Sequence, residues 1–263
     1  IRLLEKERTM ALFTPSESPA IVVKEVDLTG GVPNVQTTTG AIVGNFRWGP
    51  AESTTLITNE AGLAQEFGNP DDTHTVDFHS AAYFLKYSNS LQVVRAVSSA
   101  ARNATDASGT AALIKNHDTW EAGTWTGKVF AKYAGALGNS LKVSAAGPAT
   151  WSGWAYAGKF DAAPTTNEQH VVIVDEDGDF TGTADTVLET FPFVSENTAA
   201  VNDDGSTNYM KNVINSQSEY IWMNTVTDSD DNLSLTNGVN SAALGSAEVL
   251  TGFDLFEDKD NIE

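Results

Sequence analysis

Apolar and polar positions alternate in recognisable blocks along this chain, and the blocks change character twice. Gly40 to Phe46 is a nearly continuous apolar run bounded by turn residues, which predicts a buried strand. Ser53 to Ile57 predicts a second strand. Asn59 stands where a helix cap belongs, with Glu60 favourable in the first turn and Gly68-Asn69-Pro70 as the stop. Val76, Phe78, Ala81, Ala82, Phe84 and Leu85 recur at three-to-four spacing and predict an amphipathic helix, with Asp77 near its start. Leu91 to Val97 predicts the next strand. The resulting β-β-α-α-β order is that of a mixed α/β domain.

Before this block lies an extended stretch, residues 10–32. Its apolar strand pattern, Ile21, Val22, Val23 and Val26 with Lys24 between, has too little surface to fold alone and should pair with another sheet edge. After it, Ser98 to Gly123 is rich in Ala, Ser, Thr, Asp and Asn, as a linker or loosely held insertion would be. Gly127 to Tyr133 and Ser140 to Ala145 have strand character, and Trp151 to Phe160 reads as a loop. His170 to Val174 runs into Asp177-Gly178, the strongest hairpin signal present, with the return strand from Phe180 onward and Val187 to Phe193 extending it. Helical character returns over Ser206 to Ser216, with Asn208, Tyr209, Val213 and Ile214 on one face. Ser218 to Met223 predicts a strand. Leu235 to Gly245 predicts a loop, and Ser246 is placed to cap a helix whose apolar side is Val249, Leu250, Phe253, Leu255 and Phe256.

The domains expected are therefore a first α/β part at 33–98, a β-rich insert at 99–205 and a return to the α/β domain at 206–263, which breaks off where a further strand is due. Residues 1–9 read as a leader foreign to the protein. Glu5-Lys6-Glu7-Arg8 back-translates to a purine-rich run of the kind that precedes a bacterial start codon, with Met10 as the start; the alternative is a genuine short N-terminus.

Composition narrows the chemistry. With 263 residues, 41% hydrophobic and 19% charged, the chain is long enough to bury an ordinary core. Its 35 acidic and 15 basic residues give a net charge of −20, which argues against nucleic acid and anionic membranes as partners and opposes close approach of copies. There is no cysteine, so thiolate metal sites and disulfides are excluded, in keeping with a reducing cytosol. No apolar run reaches the ~20 residues of a membrane helix.

Catalytic and cofactor patterns are missing. Asp175, Asp177 and Asp179 have the alternation of a calcium loop, but Phe180 and Thr186 stand where Gly and Glu would be needed, and an acidic turn is the better reading. The four histidines, His74, His79, His117 and His170, lack metal-site spacing and read as surface or capping residues. No nucleophile elbow or phosphate-binding glycine motif occurs. No catalytic, cofactor or metal residue is therefore assigned. Trp120, Trp125, Trp151 and Trp154 could form an aromatic carbohydrate platform or serve as core and loop anchors.

Several segments resemble tail sheath proteins of contractile-tailed, myovirus-type bacteriophages. Thr38 to Pro50, with Gly44, Phe46, Trp48, Gly49 and Pro50, resembles the N-terminal region of that family. Phe84 to Val97 resembles its helix-to-strand passage, with Arg95 in a V-V-R-A-V strand. Lys132 to Leu141 resembles a hairpin motif carrying Tyr133, Gly135, Gly138 and Asn139. Ser218 to Ile221 resembles a strand re-entering the α/β domain, and Leu235 to Val239 a loop in which Asn237 replaces a glycine.

The resemblance implies a non-enzymatic structural subunit of the virion tail, assembled in the host cytoplasm as a helical homo-oligomer. It implies an inserted β-sandwich, an α/β domain sometimes likened to subtilisin, and an N-terminal arm whose Ile21 to Val26 strand adds to a neighbouring subunit. It further implies contraction by subunit reorientation, and contacts with tail tube and baseplate proteins through a C-terminal part lying beyond this chain. The alternative kept open is a baseplate or receptor-binding module that uses the Trp-rich insert on glycans.

Overall fold

In a computed structural model of the chain, residues 39–256 are described. The expected leader at 1–9 and the arm with Ile21, Val22, Val23, Lys24 and Val26 lie outside the described residues.

The first block folds in the order its pattern predicts, but the strand read as buried over Gly40 to Phe46 lies at an edge of the described sheet, with Gly44 the one buried residue of 40–44. Strands β1 (Gly40–Gly44), β2 (Thr54–Ile57) and β3 (Leu91–Arg95) form one sheet in the order β1-β3-β2, with β1 parallel and β2 antiparallel to β3. Helices α1 (Glu60–Phe67) and α2 (Thr75–Leu85) connect them. Asn59 caps α1, its Oδ1 accepting from the Gly62 N–H at 2.8 Å, and Gly68 ends it at φ 75°. Phe46, Ile57, Leu63, Phe67, Phe78, Leu91 and Val93 form the core between helices and sheet. Val76, expected on the packed side of α2, is 73% exposed, because Phe78, Ala81 and Ala82 define the buried stripe.

The segment at 98–123 is not a loose linker. Ala101, Asn103, Ala104, Thr105 and Ile114 are fully buried, and α3 (His117–Ala122) lies within it. Small side chains here permit close backbone approach, and Asn103 supplies the bonds that a strand would, to the carbonyls of Ile114, Ala131 and Lys132 and from the Ile114 N–H.

A four-stranded antiparallel sheet runs β7-β6-β5-β9, built from β5 (Leu141–Ala146), β6 (Glu168–Asp175), β7 (Thr186–Ser195) and β9 (Asn232–Ser234). Its inner face, Val143, Ala145, Val171 and Ile173, packs in the largest core cluster with α4 (Met210–Gln217) and with β4 (Val129–Ala131) and β8 (Ile221–Met223), an antiparallel pair. The expected helical face over Ser206 to Ser216 is narrower than read: α4 begins at Met210, and Met210 and Ile214 are its buried residues.

Four expectations are corrected by the structure. The Lys132 to Leu141 motif is no hairpin, since β4 pairs with β8 and β5 with β6 and β9; its 3-10 turn Ala136–Ser140 carries the chain from one sheet to another. Ser218 to Met223 does not join the sheet of residues 40–57 and 91–97. Phe180 does not open the return strand after Asp177-Gly178, because the Asp175 carboxylate gathers the Gly178, Phe180 and Thr181 N–H groups into a wider loop and β7 starts only at Thr186. Helix α5 (Ser246–Asp254) is preceded by Gly245 rather than capped by Ser246; the Glu248 carboxylate accepts from the Gly245 N–H at 3.0 Å.

Candidate functional site

The residues that carried the family resemblance lie far apart in sequence, and most of them meet around one side chain. Arg95 ends β3 and is 1% exposed. Its guanidinium donates to four carbonyls: Nε to Phe46 at 2.8 Å, Nη1 to Gly49 at 2.8 Å, and Nη2 to Ala134 at 2.6 Å and Arg47 at 3.4 Å. A planar, multi-donor cation suits such a ring of fixed oxygens where an ammonium would not. Burial pushes its pKa down to about 9, with Tyr133 pulling the other way, so it remains charged at neutral pH.

Two glycines shape the ring. Gly49 has φ 95°, a left-handed conformation that side chains avoid, and a Cβ there would stand 2.8 Å from the Glu66 carbonyl. Gly135 has φ 142°, and a Cβ there would press to 3.1 Å from the Arg47 carbonyl. Gly44, at the end of β1, accepts from the Ala96 N–H at 2.9 Å, and Phe46 packs on Phe67 with centroids 4.9 Å apart. Trp48 meets Tyr133 and Phe180 edge-on, at 5.3 and 5.1 Å. Pro50 is half-buried beside them.

Asn139 and Gly138 extend the junction. Asn139 exchanges two hydrogen bonds with Gly238, accepting from its N–H at 2.7 Å and donating to its carbonyl at 3.1 Å. Gly138 fits closely against Ala131 and Ala104. Asn237, at φ 65°, adopts a left-handed conformation that asparagine tolerates in the place of a glycine. The Asn240 side chain accepts from the Ala136 N–H at 2.7 Å. The motif residues thus hold the turn 46–50, the turn 134–140 and the loop 236–240 together.

A cleft of about 540 Å³ opens beside the junction, lined by Trp48, Tyr133, Phe180 and Tyr220 with Arg47 and Lys132. Its charged groups answer one another. Arg47 lies 3.7 Å from both Asp71 and Asp179, and Lys132 donates to the Ser218 carbonyl beneath the Trp222 ring. Burial raises the pKa of Glu66 and Glu189, lowers that of Lys132 and pushes Tyr133 up to about 12. Sequence reasoning passed over Lys132 and Glu66, since neither belongs to a recognisable spacing.

The remaining candidates serve structure. Asp175 is fully buried and accepts from Ser140, Gly178, Phe180 and Thr181, so its oxygens are engaged within its own loop. His74 and His170 are buried, not on the surface; His74 sits 2.6 Å from Asp71 at the start of α2. Trp120 is sandwiched between Trp125 and Trp222, at 5.8 and 5.4 Å, which occupies both of its faces. Trp151 and Trp154 pack with Phe160. Among the described residues, no group of three or more His, Asp or Glu side chains is placed to hold a metal ion.

No protein-family profile matches the chain. Over 185 residues, 68% of its length, it is 35% identical to the tail sheath protein of Salmonella phage ViI. The chain is a relative of phage tail sheath proteins. Shorter matches reach 43% identity over 89 residues with the tail sheath protein of Vibrio phage KVP40 and 45% over 80 residues with that of Enterobacteria phage T4, covering 34% and 30% of this chain and 13% and 12% of those proteins. The chain spans 29% of the length of the ViI sheath relative. Solved sheath tail proteins from Listeria innocua and Desulfitobacterium hafniense align over 83% and 92% of this chain and 38% and 43% of theirs, at 14% and 12% identity and TM-scores of 0.49 and 0.47.

Proposed function

We propose that this chain is part of a structural subunit of a phage tail sheath. The observation that carries the reading is the 185-residue match to a sheath protein at 35% identity. The junction supports it, because a buried cation clamped by backbone carbonyls makes a stiff joint between two sheets and offers no reactive group. The role is assembly, not catalysis. Many copies form a helical sleeve in the virion tail, contact tail tube and baseplate proteins, and contract by rigid-body reorientation.

The finer assignments belong to the same proposal. The arm at 10–32 adds Ile21 to Val26 as a strand to a neighbouring copy, residues 99–205 form an outward β-rich insert that also takes in α4, β8 and β9, and 33–98 with α5 contribute to the α/β domain. The glycan-binding alternative gains no support from tryptophans whose rings pack on one another.

Electron microscopy of the full-length protein tests the reading. Sleeves of uniform diameter are expected, and their loss on deletion of residues 10–28 with the fold retained would assign the arm. Discrete trimers or fibres in place of sleeves would overturn the sheath role.

A further inference from the structure

The outer face of the four-stranded sheet is covered by the chain's own connection between β5 and β6, residues 147–167. This flap is held by few bonds. Its ends are tied where the Gly147 N–H donates to the Ser229 carbonyl and the Asn167 carbonyl accepts from the Glu196 N–H and Ser195 Oγ; between them Trp154 Nε1 donates to Ser144 Oγ at 2.8 Å, Thr150 Oγ1 donates to the Ser229 carbonyl, and His170 is a further anchor. His170 is fully buried on β6. Its ring stacks on Phe160 at 4.2 Å and 7° and meets Trp151 and Phe193 edge-on at 5.0 and 4.5 Å.

Both ring nitrogens are committed, and their partners fix the proton. A carbonyl only accepts, so Nε2 carries the hydrogen and donates to the Ala162 carbonyl at 2.8 Å. A backbone amide only donates, so Nδ1 is bare and accepts from the Phe193 N–H at 3.0 Å. That amide is free because the β6–β7 ladder slips between Gln169 and Val171, leaving Pro192 and Phe193 opposite His170. Phe193 has φ 53°, a conformation a bulky residue holds only under constraint. The imidazole lone pair is part of that constraint.

We propose that neutral His170 is the pin holding the 147–167 flap on the sheet, and that its protonation releases the flap. A proton on Nδ1 would face the Phe193 N–H, abolish that bond and place a cation among the rings of Phe160, Trp151 and Phe193. Burial already holds the pKa of His170 below the ordinary histidine value, against the pull of the Ala162 carbonyl and of Glu168 on the same strand. The other charged groups on the packed elements are turned elsewhere. Lys159 and Asp161 on the flap are exposed, Glu189 on β7 and Glu196 just after it accept from the Glu219 N–H and from Gln169, and Lys142 on β5 bonds Glu176. The sign follows from the lowered value. The pin is whole above the ordinary histidine pKa of about 6.5 and is lost as pH falls from there through the lower folded value.

Hydrogen exchange on the whole chain at pH 7.5 and 5.0, corrected for intrinsic rates, reads the flap directly. About ten-fold greater opening of peptides within 147–167 at pH 5.0 is expected, the loss of one buried hydrogen bond. The non-titrating His170→Gln variant should remove that pH step. An equal step in H170Q, or no step in the native chain, would overturn the proposal. Should H170Q fail to fold, an NMR titration of the native chain decides. The His170 ring and the Trp151 and Trp154 indoles must shift with one midpoint below 6.5, and separate midpoints would refute the pin.

Discussion

Both larger sheets bury one face on a hydrophobic core, and they differ at the second. On the four-stranded sheet the outward side chains Val172 and Val174 are fully buried, beneath a connection that carries Trp151, Trp154, Tyr156 and Phe160. On the three-stranded sheet the second face receives α5, whose Gly252 sits directly over Val43. That cover is partial. Leu56 on β2 is 59% exposed, and α5 turns Leu250, Phe253 and Leu255 outward at 62%, 45% and 36% exposure. The long aromatic connection at 147–167 closes its sheet, whereas a nine-residue helix shields only the strands it crosses. Full burial of one such side chain is worth about 1.5–3 kcal/mol, so the open face is where self-association is expected.

Arg95 links the two regions, and its removal should have the largest effect. Replacement by Met keeps the length of the side chain and deletes every donor. Four backbone carbonyls lose a partner inside a closed junction, and a destabilisation of about 3–5 kcal/mol is expected. Urea unfolding measures it. The transition should also split, with strands of the three-stranded sheet exchanging before those of the four-stranded sheet. A loss below about 1 kcal/mol with a single transition would show that the sheets are joined by other means. Arg95→Lys should recover only part of the loss, since one ammonium cannot span the ring.

The comparison also explains what could be read in advance. The first block was legible because each element carries a local signal: Asn59 caps, Gly68 stops, and the apolar spacing of α2 and β3 is regular. The second region was less so. Its strands except β9 were visible, but the partners of β4 and β5 lie about ninety residues away at β8 and β9, and periodicity holds no information about partner choice. The stretch at 98–123 misled because small polar residues mark both loops and tight packing, and only burial separates the two. Arg95 was legible as a motif residue in a strand. That four carbonyls from two distant turns converge on it was not.

Gly252→Ala probes the partial cover. Alanine normally favours a helix over glycine by about 1 kcal/mol. Here its Cβ would lie 2.5 Å from Val43 Cγ1, and a β-branched side chain has little room to rotate away. Overpacking costs about 1–3 kcal/mol, so the net effect should be a destabilisation of about 1 kcal/mol with faster exchange confined to α5 and β1. A gain in stability would mean that α5 is free to shift, and that the three-stranded sheet is less covered than it is drawn.

The smallest effect on stability, and the sharpest test of the difference between the two outer faces, comes from Leu250→Glu with Phe253→Glu. Both side chains point to solvent, so neither substitution opens a cavity, and folding should change by less than about 0.5 kcal/mol. Association should change more. In a chain already at −20, two further carboxylates on a helix that exposes Leu250 and Phe253, with Leu255 just after its end, oppose contact through that face. Sedimentation at rising concentration reads it: native chain should associate, the double variant should remain monomeric, and added salt should restore part of the association by screening. Equal association of both would place the sticky surface elsewhere. The matching substitution on the flap, Trp154→Glu, should behave in the opposite way. It removes the bond to Ser144, loosens the cover over Val172 and promotes association, because on that sheet the apolar side chain faces inward.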